Sequence, residues 1–198
     1  MDDDTELLRR LRAGDEQAFV ILVRRYHDAM LRLASSFVPS RAVAEEVVQD
    51  TWMGVVRGIG GFEERSSFRT WLFRILVNRA RTTGERERRS IAIGTAEPAV
   101  DQSRFDAAGG WAAPPEQWAE DIDDRLRAGK LAGRIRSAIE ELPARQREVV
   151  TLRDVDGLSS DEVCHVLDIS DGNQRVLLHR GRSRLRQVLE SGLGGGQQ

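Results

Sequence analysis

The sequence predicts an all-α protein: two small helical domains joined by a flexible acidic linker. Three observations carry this. Apolar residues recur at steps of three and four on both sides of residues 90–120, the spacing of one helix face. The stretch between holds Pro98, Pro114, Pro115, several glycines and many acids, with little periodicity. Charge also alternates along the chain, basic, then acidic, then basic.

The elements follow in order. A short leading helix is expected near Thr5–Ala13. In the next, Phe19, Leu22, Val23, Tyr26, Met30, Leu33 and Phe37 form one face, with Asp15 as N-cap and Pro39 marking the end. Ser40 caps a third helix with Val43, Val47, Val48, Trp52, Val55, Val56 and Ile59 on its apolar side, ended by Gly58, Gly60 and Gly61. A fourth follows Ser66 and Ser67, with Phe68, Trp71, Leu72, Ile75 and Leu76 on one side and arginines on the other. These make a bundle over residues 1–89.

After the linker of 90–120, helical pattern returns near Ile122 and occupies a second domain over 121–191. Ile135, Ile139 and Leu142 form a stripe, and Pro143 starts a new helix with Val149, Val150 and Leu152 inward. Asp156-Gly157 turns the chain, and Ser159-x-x-Glu162 reads as a capping box opening a short helix that ends near Asp168. Ser170 caps a last helix held by Leu178, Leu185, Val188 and Leu189, and a disordered tail is expected over 192–198.

The net charge of −2 conceals a strong asymmetry. Residues 65–89 carry eight arginines against Glu85 and Glu87; residues 170–190 carry five against Asp171 and Glu190. Between them, residues 97–124 hold eight acids and one arginine. All basic residues except Lys130 are arginine, which favours bidentate phosphate contacts where they cluster. No apolar run approaches the ~18 residues of a membrane span, and the acidic start MDDDTELLRR does not read as a secretory signal. The expected location is the cytoplasm. The lone cysteine, Cys164, lies in an apolar helical pattern and reads as a structural thiol.

Two short helices separated by a tight turn, the second rich in arginine, form a helix-turn-helix: Ser159–Leu167, the turn Asp168–Ser170, and Asp171–Glu190. In this motif the N-terminal residues of the second helix face base edges. Asn173, Gln174 and Arg175 occupy that start; Asn and Gln suit adenine, and Arg suits guanine. His179, Arg180, Arg182 and Arg184 lie further along and suit phosphates. A basic solvated helix without a ligand has the same pattern. The arginine helix at 65–89 interleaves Phe62, Phe68, Trp71 and Phe73 with its cations, as single-strand binding requires. Equally, the spacing of Phe68, Trp71 and Phe73 suits burial, and at least two of the three are expected in the core.

No phosphate-binding glycine loop or nucleophile–base arrangement is present in the sequence, and His27, His165 and His179 lack metal-ligand spacing with each other or with Cys164. Neither metal nor cofactor is expected, and no small-molecule substrate or enzymatic activity.

The stretches AEEVVQDTWMGVVRGIGGF and SSFRTWLFRILVNRARTTGERERR resemble region 2 of bacterial extracytoplasmic-function sigma factors, and ELPARQREVVTLRDVDGLSSDEVCHVLDISDGNQRVLLHRGRSRLR resembles their region 4. The resemblance implies a factor that binds core RNA polymerase and initiates transcription at promoters. It implies that region 2 docks on the clamp helices of the beta-prime subunit through Glu46, Gln49, Asp50, Thr51 and Trp52. It implies that region 2 captures the non-template strand of the minus-ten element with a base out of the stack, through Phe62, Ser66, Phe68, Arg69, Thr70, Arg74, Asn78 and Arg81. Region 4 would read the minus-thirty-five duplex, with Ser170 joining Asn173, Gln174, Arg175, His179, Arg180, Arg182 and Arg184, and would contact the beta flap. The linker would run through the polymerase's RNA path. An anti-sigma factor, membrane-bound in many cases, is an expected partner. Many members carry Thr-Val-Lys/Arg-Ser-Arg after the recognition-helix glycine, where this chain has Asn173-Gln174-Arg175-Val176-Leu177. Competing readings are a stand-alone regulator, which would bind duplex tightly without polymerase, and a polymerase-binding scaffold that reads no DNA.

Overall fold

A computed structural model describes residues 3–93 and 132–194. Residues 94–131 and 195–198 lie outside the described residues, and with the first stretch most of the expected linker of 90–120, Trp111 and Trp118, and the expected return of helix near Ile122. All regular structure among the described residues is helical: α1 (Asp3–Arg12), α2 (Glu16–Ala34), α3 (Arg41–Gly58), a 3-10 turn (Ile59–Gly61), α4 (Phe68–Ile93), α5 (132–140), α6 (Ala144–Val150), a π turn (Thr151–Val155), α7 (Ser160–Leu167) and α8 (Asp171–Gly194).

The helix starts follow from local chemistry. Asp15 accepts hydrogen bonds from the backbone N–H of Gln17 and Ala18, and Ser40 from that of Val43. Ser67 Oγ accepts from the N–H of Thr70 at the head of α4. Ser159 and Glu162 form both halves of the expected capping box, and Ser170 Oγ accepts from the N–H of Asn173. The α7–α8 turn passes through Asp168 in the left-handed region (φ 54°), and Gly157 (φ 69°) makes the preceding turn. Helix α2 stops at Ala34, short of Pro39, and α8 continues to Gly194, past the expected end at Glu190 and into the segment expected to be a tail.

The N-terminal bundle buries Leu22, Met30, Leu33, Val48, Val55, Leu72, Phe73 and Leu76 completely or nearly so. Each contributes about 1.5–3 kcal/mol of apolar burial. Asp4 ties α1 to α2 by accepting from the Tyr26 hydroxyl and pairing with Arg25. Arg12 ties α1 to the loop before α4 by donating to the carbonyls of Ile59 and Phe62. In the second unit α8 packs on α6 at Gly181, where a Cβ would stand 2.6 Å from the Val150 methyl. Val56 and Val188, expected inward, are exposed. Their helical phase was legible, but how far the partner helix extends was not.

The two helical units touch. Helix α7 lies along α4, and one apolar cluster runs from the bundle into Val149, Leu152, Leu158, Val163, Val166 and Leu167. Arg32 on α2 reaches Asp156 at 2.8 Å, an ion pair whose carboxylate is almost fully buried.

Glu148 is also buried, next to Arg145 at 3.3 Å, and burial holds its carboxyl above the ordinary value despite the neighbouring arginines. A raised native pKa means the folded chain binds this proton more tightly, so the penalty is absent in acid and grows as pH rises above the unfolded value. Relative to Glu148→Gln, the parent chain should therefore lose stability as pH rises above about 4. Urea titrations at several pH values check this; a pH-independent difference contradicts it.

Candidate nucleic-acid interface

Helix α4 sorts its residues onto two faces. Phe68, Leu72, Phe73, Leu76, Val77 and Ala80 point into the bundle and are buried. Thr70, Arg74, Asn78 and Arg81 follow one another up the opposite side. The loop before α4 folds back over this side, making an open cleft of 510 Å³ bounded by Phe62, Ser66, Trp71, Arg74, Asn78 and, from α7, His165.

Its aromatics form a graded stack. Trp71 is half-buried and lies 4.9 Å from the Phe62 ring at a 36° tilt. Phe62 and Phe68 are both buried, 6.2 Å apart, with Phe68 edge-on to Tyr26 at 5.9 Å. Phe62 and Phe68 therefore do not offer a free face to a base, as the sequence alone suggested; they back the ring that does. Trp71 was legible as an interleaved aromatic but not as a site residue, because periodicity does not tell which of three aromatics stays at the surface. As expected, two of Phe68, Trp71 and Phe73 are core.

The charged candidates divide. Arg69 sits on the Phe73 ring, 5.8 Å from its centroid, on the other flank of α4. Ser66 is half-buried and Asn78 exposed at the cleft. Thr70 is buried under α7: its hydroxyl donates to Glu162 Oε1 at 2.9 Å. Arg74 Nη1 lies 2.9 Å from His165 Nε2, and Arg81 donates to the Leu167 carbonyl at 2.7 Å. Burial pushes the Glu162 carboxyl up, but hydrogen bonds from Ser159, Thr70 and Ser67 more than reverse this, leaving it below its ordinary value and ionised at neutral pH.

On α3, Glu46, Gln49 and Asp50 are exposed on adjoining turns. Met53 and Val56, both about half exposed, extend the same face toward the C-terminus. Thr51 and Trp52 do not belong to it. Thr51 is fully buried and donates its hydroxyl to the Val47 carbonyl, and Trp52 packs edge-on against Phe19 at 5.5 Å. Both support the face from beneath.

The first turns of α8 present Asn173, Arg175, Val176, His179 and Arg180 to solvent, with Ser170 at the cap. Arg175 is held by Asp171 at 2.8 Å. Gln174 points the other way: it is 0% exposed and neither amide atom has a hydrogen-bond partner. The helix keeps this position inward and fills it with a polar side chain. A base edge cannot reach it without unpacking α8. Arg182 forks onto both oxygens of Asp154 (2.9 and 2.5 Å) and Arg184 reaches Gln146 at 3.3 Å, so these two brace α8 against the preceding elements. Cys164 is half-buried, and burial with nearby Asp171 and Asp161 raises its thiol pKa, as befits an inert thiol. Among the described residues no group of His, Cys, Asp and Glu could hold a metal ion.

Residues 22–90 match the profile of sigma-70 region 2, and residues 132–185 that of sigma-70 region 4. The ECF RNA polymerase sigma-E factor of Salmonella typhimurium is 31% identical over 182 residues, covering 92% of both chains. The RNA polymerase sigma-H factor of Pseudomonas aeruginosa is 29% identical, covering 96% of this chain and 95% of its own. Among solved structures, CnrH in complex with the cytosolic domain of CnrY is similar with a TM-score of 0.60 at 26% identity, covering 96% and 99% of the two chains. The sigma factor RpoE of Bartonella quintana, solved with the anti-sigma factor NepR, shares the fold with a TM-score of 0.62 at 24% identity, covering 87% and 96%.

Proposed function

The chain belongs to the extracytoplasmic-function sigma factors of the sigma-70 family, and from that premise we propose how its surfaces divide the work of promoter recognition. It binds core RNA polymerase and promoter DNA and directs transcription initiation. The exposed α3 face of Glu46, Gln49, Asp50, Met53 and Val56 meets the polymerase clamp. The α4 cleft takes the non-template strand of the minus-ten element, with Trp71 stacking on an unpaired base and Arg74, Asn78 and Arg81 along the strand. The outward start of α8 reads the minus-thirty-five duplex through Asn173, Arg175 and Val176, with His179 and Arg180 toward phosphates. The boundaries 1–89, 90–120 and 121–191 assign these tasks to region 2, the linker and region 4. The protein works without catalysis of its own, in the cytoplasm with its polymerase; no helix among the described residues is long and apolar enough to cross a membrane. An anti-sigma factor holds it in check, a reading supported by the partner-bound state of CnrH.

One observation carries this division: a single chain joins a cleft walled by a half-buried tryptophan and arginines to a helix-turn-helix with an open N-terminal face. Stacking of one base on an aromatic contributes about 1–3 kcal/mol. Trp71→Ala in the holoenzyme should thus weaken open-complex formation by about tenfold or more while leaving minus-thirty-five duplex binding intact. Permanganate footprinting of the minus-ten region measures it. Unchanged opening would remove Trp71 from the strand site.

Arg175→Ala should relax preference at one or two minus-thirty-five positions, costing about 1–3 kcal/mol on the preferred sequence. Binding to a panel of single-base minus-thirty-five variants checks this. Equal weakening on every sequence would make Arg175 a phosphate contact.

A further inference from the structure

One wall of the α4 cleft is a loop, residues 61–66, that the bundle has to hold in place. The 3-10 turn of Ile59–Gly61 leads into it and closes on a long backbone bond, from the Phe62 N–H to the Ile59 carbonyl at 3.3 Å. Arg12, the last residue of α1, supplies the rest. Its guanidinium donates to the carbonyls of Ile59 and Phe62 and to the Glu64 carboxylate at 2.9 Å, and lies 6.0 Å from the centre of the Phe62 ring. Three acceptors spread over residues 59–64 thus converge on one rigid, planar fork. Glu64 stands at φ 56°, in the left-handed region that is uncommon for a residue with a Cβ, and its side chain meets Arg12 there. The Glu64 side chain is 48% exposed and that pair is screened by water, so the two carbonyl bonds carry the tether. Among the described residues no other side chain from outside the loop hydrogen-bonds to residues 59–64. The end of α1 is itself fixed, by Arg10 on Asp15 at 2.8 Å and by Leu7 and Leu8 buried in the bundle.

What the tether controls is Trp71. Gly58 and Phe62 bracket the tethered turn, and Trp71 touches both. Its indole carbons lie 3.8 and 3.9 Å from where a Cβ on Gly58 would stand, and its ring centre is 4.9 Å from that of Phe62. A shift of the turn therefore moves both residues against which the indole rests, and with them the gap that an unpaired base enters. We propose that Arg12 is a positioning residue of the strand cleft: by tying the 59–64 loop to α1 it sets the spacing between that loop and Trp71, and through it which base the cleft accepts. The guanidinium is taken up by the loop, and Arg12 precedes the segment 22–90 that matches region 2. This role rests on the strand-binding reading of the α4 cleft and adds to it a determinant of base selectivity carried by α1. A binding site has to hold its geometry to within about half an ångström, and a misplacement of about 1 Å from a remote change costs up to ~100-fold.

The test uses the holoenzyme, assembled from core RNA polymerase and the full chain, on promoter templates that carry each of the four bases at each minus-ten position in turn. The rate of open-complex formation is read from single-round transcription. Arg12→Ala, Arg12→Lys and Asp4→Asn are compared with the parent. Asp4→Asn loosens α1 from Tyr26 and Arg25 without touching the loop. Arg12→Lys keeps the charge but has no fork to span two carbonyls, and it serves even if Arg12→Ala does not fold. The expected result is a loss of base discrimination of about tenfold at the most selective minus-ten position in Arg12→Ala. A loss in the same direction is expected in Arg12→Lys and none in Asp4→Asn, with binding to minus-thirty-five duplex unchanged in all three. Parent-like discrimination in Arg12→Lys or in a folded Arg12→Ala would overturn the inference. An equal loss in Asp4→Asn would overturn it too, because Arg12 would then act only by docking α1. Trp71→Ala is the separate arm: opening at the parent's rate there would refute the strand-binding reading of the cleft instead.

Discussion

Phe73→Ala should destabilise the N-terminal bundle by about 3–5 kcal/mol. Phe73 is 0% exposed, lies edge-on to Tyr26 at 6.3 Å, and carries the Arg69 guanidinium on its ring. Truncation removes the ring from four surroundings at once: the bundle core, the Tyr26 contact, the Arg69 seat and the α4 backbone's packing on α2. Against the ~5–15 kcal/mol that holds a domain together, this is a large part of the whole. Urea denaturation followed by tryptophan fluorescence reports it, because Trp52 and Trp71 both sit in this bundle. A loss under about 1 kcal/mol would mean that the site collapses around the gap far more readily than such cores do.

The opposite sign is expected at Gln174. Burying an amide without hydrogen bonds costs about 1–3 kcal/mol in proteins, and leucine has a closely similar volume. Gln174→Leu should raise the stability of the region 4 unit by about that amount and leave minus-thirty-five binding and specificity unchanged. Thermal unfolding and duplex titrations on the same protein decide the matter together. Loss of specificity would show that Gln174 turns outward on DNA; unchanged stability would show that its amide finds partners, such as bridging water, in the folded chain.

Gln174 also marks where reading from sequence stops. The capping residues Asp15, Ser40, Ser159, Glu162 and Ser170 were legible because a cap depends on a few neighbouring residues, and each makes its expected bond. The helix-turn-helix was legible for the same reason. Which side of α8 faces the core is set by α6 and α7, and a glutamine in an arginine-rich helix start reads as a surface residue until those helices are in place. Thr51 and Trp52 are the same case: they neighbour exposed Gln49 and Asp50 in sequence but lie about a third of a turn round, under the surface. Phe62 lines the cleft but is buried and Phe68 lies behind it, so only the packed structure identifies Trp71 as the ring left accessible. The contacts between α4 and α7 join residues more than 85 positions apart and carry no local signal at all.

Thr70, Arg74 and Arg81 contact α7 in the structure, and the reading proposed for the cleft gives Arg74 and Arg81 a second partner in the non-template strand. Arg182 and Arg184 brace α8, so their removal should loosen region 4 rather than change the sequence it reads.

The central claim is tested most directly by in-vitro transcription with core RNA polymerase on a pooled promoter library, with and without this protein. The account predicts initiation that depends on the protein and arises from templates sharing two short elements, one near minus ten and one near minus thirty-five. Absence of protein-dependent initiation, together with tight duplex binding by the protein alone, would contradict it and mark a stand-alone DNA-binding regulator.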